Sequence, residues 1–193
     1  MEIDNELRGI LNPGKTVLLV WDVQNMLVRS IFNPEQFMEN TRSLISLAKE
    51  LNVPVIFSKI TPLSDKFESP SRKYFLKKRL SVLKPTTDGL DLAIEPSDGD
   101  IVMPKNTASI FIGTHFELMM RNAGITTILI AGIATEIGVE SSGRDASNRG
   151  FFPVIITDAV SSFSQEAHYR SLENLKGMMI LLKTEELSAL WKE

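Results

Sequence analysis

Length, composition and charge exclude several classes of protein. The chain has 193 residues, of which 43% are hydrophobic and 23% charged, with a formal net charge of −3. These values are ordinary for one globular domain and provide no global attraction to nucleic acid or to an anionic membrane. Since the chain has no cysteine, disulfides, cysteine-ligated iron–sulfur clusters and thiol catalysis are excluded.

Nothing in the sequence indicates a membrane or secreted protein. No apolar run reaches the roughly 18 residues of a membrane span. The start of the chain, residues 1–6, is polar and acidic, unlike a secretory signal. We therefore expect a cytoplasmic protein with a small molecule, rather than a membrane or a nucleic acid, as its partner.

The pattern of apolar residues predicts strands that alternate with helices. Strands are predicted at residues 16–21, 53–58, 100–103, 126–131, 153–157 and 179–182. Helices are predicted at residues 33–52, 71–82, 114–123, 136–149, 164–176 and 185–192. The first strand is a continuous run of β-branched and aliphatic residues, which is typical of a strand buried on both faces. The alternation predicts an α/β fold of the Rossmann type, a doubly wound, mostly parallel sheet with helices on both faces in three layers.

Ligands of such sheets bind at the carboxyl ends of the strands. This rule singles out Asp22, the loop after Ser58, the segment around Lys105 and the turn at residues 132–138. Residues 62–98 form a long polar excursion with four prolines. Long loops in compact domains are usually functional or disordered, and we expect this one to cover the site.

Two charged residues at this edge are candidates for catalysis. Asp22 follows an apolar strand, where burial would raise its pKa and could keep it protonated near neutral pH. A helix cap or turn aspartate is the alternative. Lys105 follows the third strand and could pair with Asp22 or with an anionic substrate. A solvated surface lysine is the alternative here, because lysine is rarely buried.

The turn after the fourth strand is a candidate anion site. Backbone N–H groups between Ala134 and Gly138 could hold an oxyanion or a carboxylate. The alternative is an ordinary helix start capped by Thr135. A glycine in a first helical turn costs about 1 kcal/mol relative to alanine, so Gly138 indicates either close backbone approach or room for a ligand.

Five segments together resemble one known family. They are Leu-Leu-Val-Trp-Asp22-Val-Gln24, Pro-Lys105-Asn-Thr-Ala-Ser-Ile-Phe111, Gly132-Ile-Ala-Thr-Glu-Ile-Gly138, Arg144-Asp-Ala and Asp158-Ala-Val-Ser-Ser. Their spacing resembles the isochorismatase-like hydrolases of the cysteine-hydrolase superfamily along nearly the whole chain, which implies a single domain over residues 1–193.

The resemblance implies roles for individual residues. It places Asp22 and Lys105 at the family's catalytic positions and implies a cis peptide bond after Ile133. It also makes Ala134, Gly138, Gln24 and Phe111 candidates for binding the substrate. Family members are usually oligomers, so we expect a homo-oligomer of two or more copies.

The sequence departs from most of this family at Gly138. Amidases and nicotinamidases of the family need a cysteine thiolate there, whereas the isochorismatases, which hydrolyse a vinyl ether, also carry glycine. Protonation of an enol-ether carbon needs a proton donor and a water molecule. We therefore expect non-covalent hydrolysis of a small polar metabolite such as isochorismate, with Asp22 as general acid. A catalytically silent homologue that binds a metabolite or serves in an assembly is the alternative, and an amide hydrolase with an unusual nucleophile is a third.

No metal or cofactor is expected. Nicotinamidase-type members place an aspartate and two histidines after the second strand, but residues 58–65 contain no histidine. His115 and His168 are far apart in the pattern and do not suggest a ligand pair.

A basic run at residues 72–79 lies within the long excursion. It predicts either a solvated helix face or a lid whose Arg72 or Arg79 meets a dicarboxylate substrate through a bidentate contact.

Overall fold

A six-stranded parallel sheet forms the centre of the protein. The computed structural model describes residues 2–80 and 86–192, with side chains for residues 5–75 and 86–192. The strand order is β3-β2-β1-β4-β5-β6, and each neighbouring pair is parallel. The strands are β1 (Thr16–Trp21), β2 (Val55–Ile60), β3 (Ile101–Lys105), β4 (Thr127–Ile133), β5 (Phe152–Ser161) and β6 (Ile180–Leu182). The predicted doubly wound α/β fold is therefore confirmed.

Helices connect the strands and cover both faces of the sheet. Within the described ranges they are α1 (Glu2–Ile10), α2 (Asn25–Val28), α3 (Pro34–Glu50), α4 (Pro70–Leu80), α5 (Phe116–Asn122), α6 (Glu140–Asn148), α7 (Gln165–Leu175) and α8 (Thr184–Lys192). A 3₁₀ turn, Pro13–Lys15, precedes β1, and a π-helical turn, Thr135–Val139, precedes α6. None of the helices described is long and apolar enough to cross a membrane.

The predicted elements appear with ends shifted by a few residues, and there are three further differences. Helix α1 was not predicted, although Ile3, Leu7 and Ile10 recur at helical spacing. Helix α2 is a single turn, too short to show a helical period. The predicted helix at residues 136–149 begins instead as a π-helical turn, in which the Glu140 amide bonds back to Thr135. Such a widened turn is frequent at functional sites.

The core consists of two layers, one on each face of the sheet. Successive side chains of a strand point to opposite faces. In β1, Leu18 and Val20 therefore pack in one apolar cluster, whereas Leu19 and Trp21 pack in the other. The second cluster includes Val139, which directly follows Gly138. Trp21 thus lies on the same face of the sheet as the turn after β4.

The strand order reverses between β1 and β4. The chain runs outward from β1 to β3 and then returns to place β4 against the other side of β1. A crevice forms at such a reversal, beyond the carboxyl ends of the strands. Asp22, which follows β1, and the turn at residues 134–139, which follows β4, both lie at this point.

Gly132 allows β1 and β4 to meet closely at their carboxyl ends. It pairs in register with Trp21, and its φ of +124° is one that other residues rarely adopt. A Cβ atom added to Gly132 would lie 2.0 Å from the carbonyl oxygen of Trp21. Only glycine fits here without separating the two strands.

We predict that Gly132→Ala destabilises the protein by about 3 kcal/mol or more, because a backbone clash adds to the conformational cost. Urea unfolding monitored by tryptophan fluorescence would measure it. Gly150→Ala is the control, since Gly150 also has a positive φ, +79°, but open space around it. It should lose only about 1–2 kcal/mol. Equal losses in the two variants would contradict the close contact at Gly132.

Candidate active site

Asp22 is a buried carboxyl at the carboxyl end of β1. Its backbone is left-handed, with a φ of 48°, and the residue is only 3% exposed. Ser58 donates a hydrogen bond of 2.7 Å from Oγ to Oδ1 of Asp22 and accepts one of 3.1 Å from the Asp22 amide. The following helix, α2, is capped at Gln24 and not at Asp22. A helix cap therefore does not explain this aspartate.

Lys105 is the last residue of β3 and points inward. It is 5% exposed, so the alternative of a solvated surface lysine is wrong. Its Nζ donates to Oδ2 of Asp22 at 2.5 Å and to the Thr107 carbonyl at 3.2 Å. Nζ also lies 3.8 Å from the centre of the Trp21 ring. The ammonium group thus has a carboxylate, a carbonyl and an aromatic face as partners for its three hydrogens.

Burial dominates the protonation of this pair. It raises the pKa of Asp22 above its usual value, against the opposing effects of Lys105, of the hydrogen bond from Ser58 and of Arg72. Burial also lowers the pKa of Lys105, against the charge of Asp22 and with the help of Arg72. Both shifts make the neutral forms of Asp22 and Lys105 easier to reach than they would be in water.

The space beside Gly138 is filled by an indole ring. A Cβ atom added to Gly138 would lie 1.9 Å from Nε1 and 2.2 Å from Cε2 of Trp21. Trp21 is 1% exposed. Of the two explanations given for Gly138, the structure therefore supports a close approach, here of the Trp21 side chain to the backbone, and not room for a ligand.

The turn after β4 is held by hydrogen bonds from neighbouring elements. The peptide bond between Ile133 and Ala134 is cis. Thr135 donates from Oγ1 to the Ser161 carbonyl at 3.1 Å, and the same Oγ1 lies 2.8 Å from Nδ1 of His168. Because the hydroxyl has a single hydrogen, this arrangement makes His168 Nδ1 the donor to Thr135.

Not every amide of this turn is available to an anion. The amide of Ile137 already donates to the Ala134 carbonyl at 3.1 Å. The cap residue of the turn is Ala134 and not Thr135. Any substrate contact in the predicted stretch from Ala134 to Gly138 must therefore use its other amides.

Gln24 fastens the long excursion over the strand ends. It is 1% exposed, and its Nε2 donates to the carbonyls of Leu90 and Ile60 at 2.6 and 3.4 Å. Its Oε1 accepts from the Ile60 amide at 2.9 Å. Both amide hydrogens of the predicted substrate-binding Gln24 are thus engaged by backbone, and a substrate contact would have to break one of these bonds.

The structure separates the other predicted binding residues. Arg72, on α4, donates to the Asn106 carbonyl, and its charge affects the pKa of both Asp22 and Lys105. It therefore lies near the pair. Phe111 packs edge-on against Phe116, with ring centres 5.2 Å apart, and is partly buried, so its assignment to substrate binding stays a prediction. The side chain of Arg79 lies outside the described residues.

Two concavities on the described surface lie away from the Asp22–Lys105 pair. One of about 560 Å³ lies between α3 and α8, where Asn40 and Lys183 are among its lining residues. Another of about 480 Å³ lies beside β5 and β6. Among the described side chains, no group of three or more acidic or histidine residues could hold a metal ion.

Comparison with known proteins identifies the family. Residues 16–186 match the isochorismatase domain model. The chain is 30% identical over 168 residues to the uncharacterized isochorismatase family protein YecD of Escherichia coli O157:H7, a match that covers 86% of this chain and 89% of YecD. This protein belongs to the isochorismatase family.

Two further similarities show the range of this family of hydrolases. The chain is 26% identical over 202 residues to the ureidoacrylate amidohydrolase RutB of Pseudomonas savastanoi pv. phaseolicola, covering 86% of this chain and 80% of RutB. A cysteine hydrolase from Pseudomonas syringae pv. phaseolicola 1448A shares the fold, with a TM-score of 0.82, 18% identity and 93% coverage of both chains.

Sequence reasoning missed two residues of this isochorismatase-family site. Ser58 was noted only as the end of a strand, although it is the one polar residue of the run Val-Ile-Phe-Ser58. Trp21 was taken as part of an apolar strand. The sequence signal that could have identified Trp21 is a large side chain directly before Asp22, together with a glycine at position 138 that leaves space for it.

We predict that acidification loosens the turn after β4 through His168. Burial lowers the pKa of His168 below its usual 6.5, with Glu136 opposing. A lowered pKa gives stability that is complete above pH 6.5 and is lost as the pH falls through the folded-state pKa. Urea unfolding should show a lower free energy of unfolding at pH 5.5 than at pH 7.5 for the wild type. The difference between the two pH values should be smaller for His168→Gln. An equally large loss in His168→Gln would assign the effect to other groups.

Proposed function

We propose that this protein hydrolyses a small anionic metabolite without forming a covalent bond to it, with Asp22 as the general acid. One observation carries the proposal: a buried carboxyl with a raised pKa contacts Lys105 next to a position that bears no nucleophilic side chain. The site thus offers a carboxyl that could donate a proton, and residue 138 has no side chain that could form an acyl-enzyme.

Hydrolysis of a vinyl ether fits this set of groups, and isochorismate is the substrate that we propose. Asp22 would transfer its proton to the enol-ether carbon, which leaves a positive charge shared with the ether oxygen. Water would add to the cationic carbon and return a proton to the Asp22 carboxylate. The resulting hemiketal would collapse to a keto acid and an alcohol. Such acid catalysis contributes roughly 10²–10⁴-fold to a rate.

Lys105 and Arg72 have complementary roles in this proposal. A carboxylate of the substrate would draw the Lys105 ammonium away from Asp22, which removes the charge that most opposes the raised pKa of Asp22. Arg72, whose charge already acts on both members of the pair, could hold a carboxylate in a bidentate contact.

Amide hydrolysis is less well supported for this chain. RutB is an amidohydrolase by name. By the resemblance described above, the amidases of this family need a cysteine thiolate as nucleophile. This chain has no cysteine. The sequence match to RutB therefore supports the family and not the transfer of its substrate.

A catalytically silent, metabolite-binding or assembly protein is the second candidate. It is favoured by the low exposure of Asp22 and Lys105, 3% and 5%, and by the indole that fills the space beside Gly138. In this alternative the ion pair only stabilises the fold, and substrates do not reach it.

We predict that Asp22→Asn lowers kcat/KM by about 10²–10⁴-fold, because the amide cannot donate an acidic proton. A screen of isochorismate, nicotinamide, ureidoacrylate and N-carbamoyl compounds with the wild-type protein would first define the substrate. Asp91→Asn is the matched control, since Asp91 is 68% exposed and meets only Lys59, at 3.5 Å, in an ion pair. Near-normal turnover by Asp22→Asn would remove Asp22 from the mechanism. Absence of turnover by the wild type on all compounds, with binding retained, would favour the silent protein.

The pH dependence of turnover provides a separate prediction. A general acid is active while protonated, and burial raises the pKa of Asp22 above 3.8. The value of kcat/KM should therefore be highest on the acidic side and fall as the pH rises through this raised pKa. A pH–rate profile measured for the wild type and for Ser58→Ala would check it. Loss of the Ser58 hydrogen bond, which lowers the pKa of Asp22, should move the fall to higher pH. Activity that rises through the same range would assign Asp22 the role of a base.

A further inference from the structure

We propose that Trp21 determines which class of reaction this site can support, because its indole occupies the volume that any side chain at residue 138 would need. Trp21 and Gly138 then form one coupled pair, in which each residue requires the other. The inference deepens the proposed function, which depends on the lack of a nucleophile at 138, but its first test needs no enzymatic activity.

The overlap is too large for small adjustments. A Cβ atom on Gly138 would lie 1.9, 2.2 and 2.6 Å from Nε1, Cε2 and Cζ2 of Trp21. Non-bonded carbon atoms are normally about 3.5–4.0 Å apart, so the ring would have to move by more than 1 Å. Even alanine at residue 138 is incompatible with the ring where it now lies.

The ring is also held on its other sides. Trp21 is 1% exposed and belongs to the apolar cluster that includes Ile130 and Val139. The Lys105 ammonium lies 3.8 Å from the ring centre. A displaced indole would lose this cation–π contact and would disturb the ion pair to Asp22. A cysteine introduced at residue 138 alone therefore would not produce a working nucleophile.

A smaller residue at position 21 would change this. The vacated volume lies beside the start of the helical segment that leads into α6 and next to the Lys105 ammonium. Both a helix start and a nearby cation lower the pKa of a thiol. The geometry thus points to two substitutions, at residues 21 and 138, as the difference between the present site and one with a reactive thiolate.

A thermodynamic cycle tests the coupling. The variants are Gly138→Ala, Trp21→Val and the double variant, compared by thermal unfolding. In the wild-type background Gly138→Ala should lower the Tm by about 5 °C or more. In the Trp21→Val background the same change should leave the Tm unchanged or raise it, since the added methyl group enters a cavity.

Gly143→Ala is the matched control for this cycle. Gly143 lies on α6, and a Cβ atom there would meet Met179 instead of Trp21, at 2.7 Å from its Sδ. Its effect on the Tm should therefore be the same in both backgrounds. An equal loss for Gly138→Ala in both backgrounds would overturn the coupling. So would a single Gly138→Ala variant as stable as the wild type, a result that needs no Trp21 variant to fold.

The chemical part of the proposal is tested with a single introduced thiol. Because the natural chain has no cysteine, the variant Trp21→Val with Gly138→Cys reports on one site only. Iodoacetamide alkylation followed as a function of pH should give a thiol pKa below the ordinary value of about 8.5. With p-nitrophenyl acetate, attack of the thiolate on the ester carbonyl should release one equivalent of p-nitrophenolate in a burst and leave a thioester.

The control is Trp21→Val with Ser141→Cys, since Ser141 is partly exposed and lies on α6, three residues after Gly138. Its thiol should titrate near 8.5 and show no burst. An ordinary pKa and no burst for the cysteine at residue 138 would overturn the assignment of this volume as a nucleophile position. Neither result depends on whether the natural protein turns over isochorismate.

Discussion

The buried ion pair between Asp22 and Lys105 is the interaction on which the candidate site depends. Removing two charges from water costs several kcal/mol per ion, and their mutual attraction compensates only if the remaining hydrogen-bonding groups are also satisfied. Here Ser58 bonds the second carboxyl oxygen, and the Thr107 carbonyl and the Trp21 ring complete the surroundings of the ammonium. Each of these groups is fixed in turn by a strand or a strand end, so the geometry of the pair is a property of the sheet.

The same burial that makes the pair part of the folded core also shifts the pKa values of both groups. Desolvation raises the pKa of Asp22 and lowers that of Lys105, which brings the ionised and neutral forms of the pair closer in free energy than they are in water. In the function proposed above, a bound anion that competes for Lys105 would decide where the proton resides. Perturbed titration of this kind is common at functional sites.

Much of the fold and part of the site could be predicted from the sequence. Apolar runs and helical periods are local signals, and they predicted the parallel sheet. The rule that ligands bind at strand ends then selected Asp22 and Lys105, which lie 83 residues apart in the chain but in contact in the structure. These residues could be found because each lies at the carboxyl end of a strand.

The remaining features of the site depend on which side chains contact each other in the folded chain. No local sequence pattern contains that information. Gln24 follows the same strand end as Asp22, yet its amide is engaged by the backbone at Ile60 and Leu90. Phe111 lies in a family motif but packs with other aromatic rings. The contact of Trp21 with Gly138 joins residues 117 positions apart, and finding it needs the coordinates of β1 and of the turn after β4. In each case the residue type was compatible with binding, and only the packing shows which groups the side chain contacts in this structure.

The position of Lys105 within the sheet has one more consequence. Asp22 leaves β1, which has strands on both sides, whereas Lys105 ends β3, the edge strand, which pairs only with β2. Pro104, without an amide hydrogen to donate, suits such an edge. Edge strands have a free side and therefore less restraint on their position. The acid of the pair thus follows a strand that is hydrogen-bonded to neighbours on both sides, whereas its cation ends a strand that is hydrogen-bonded to a described strand on one side.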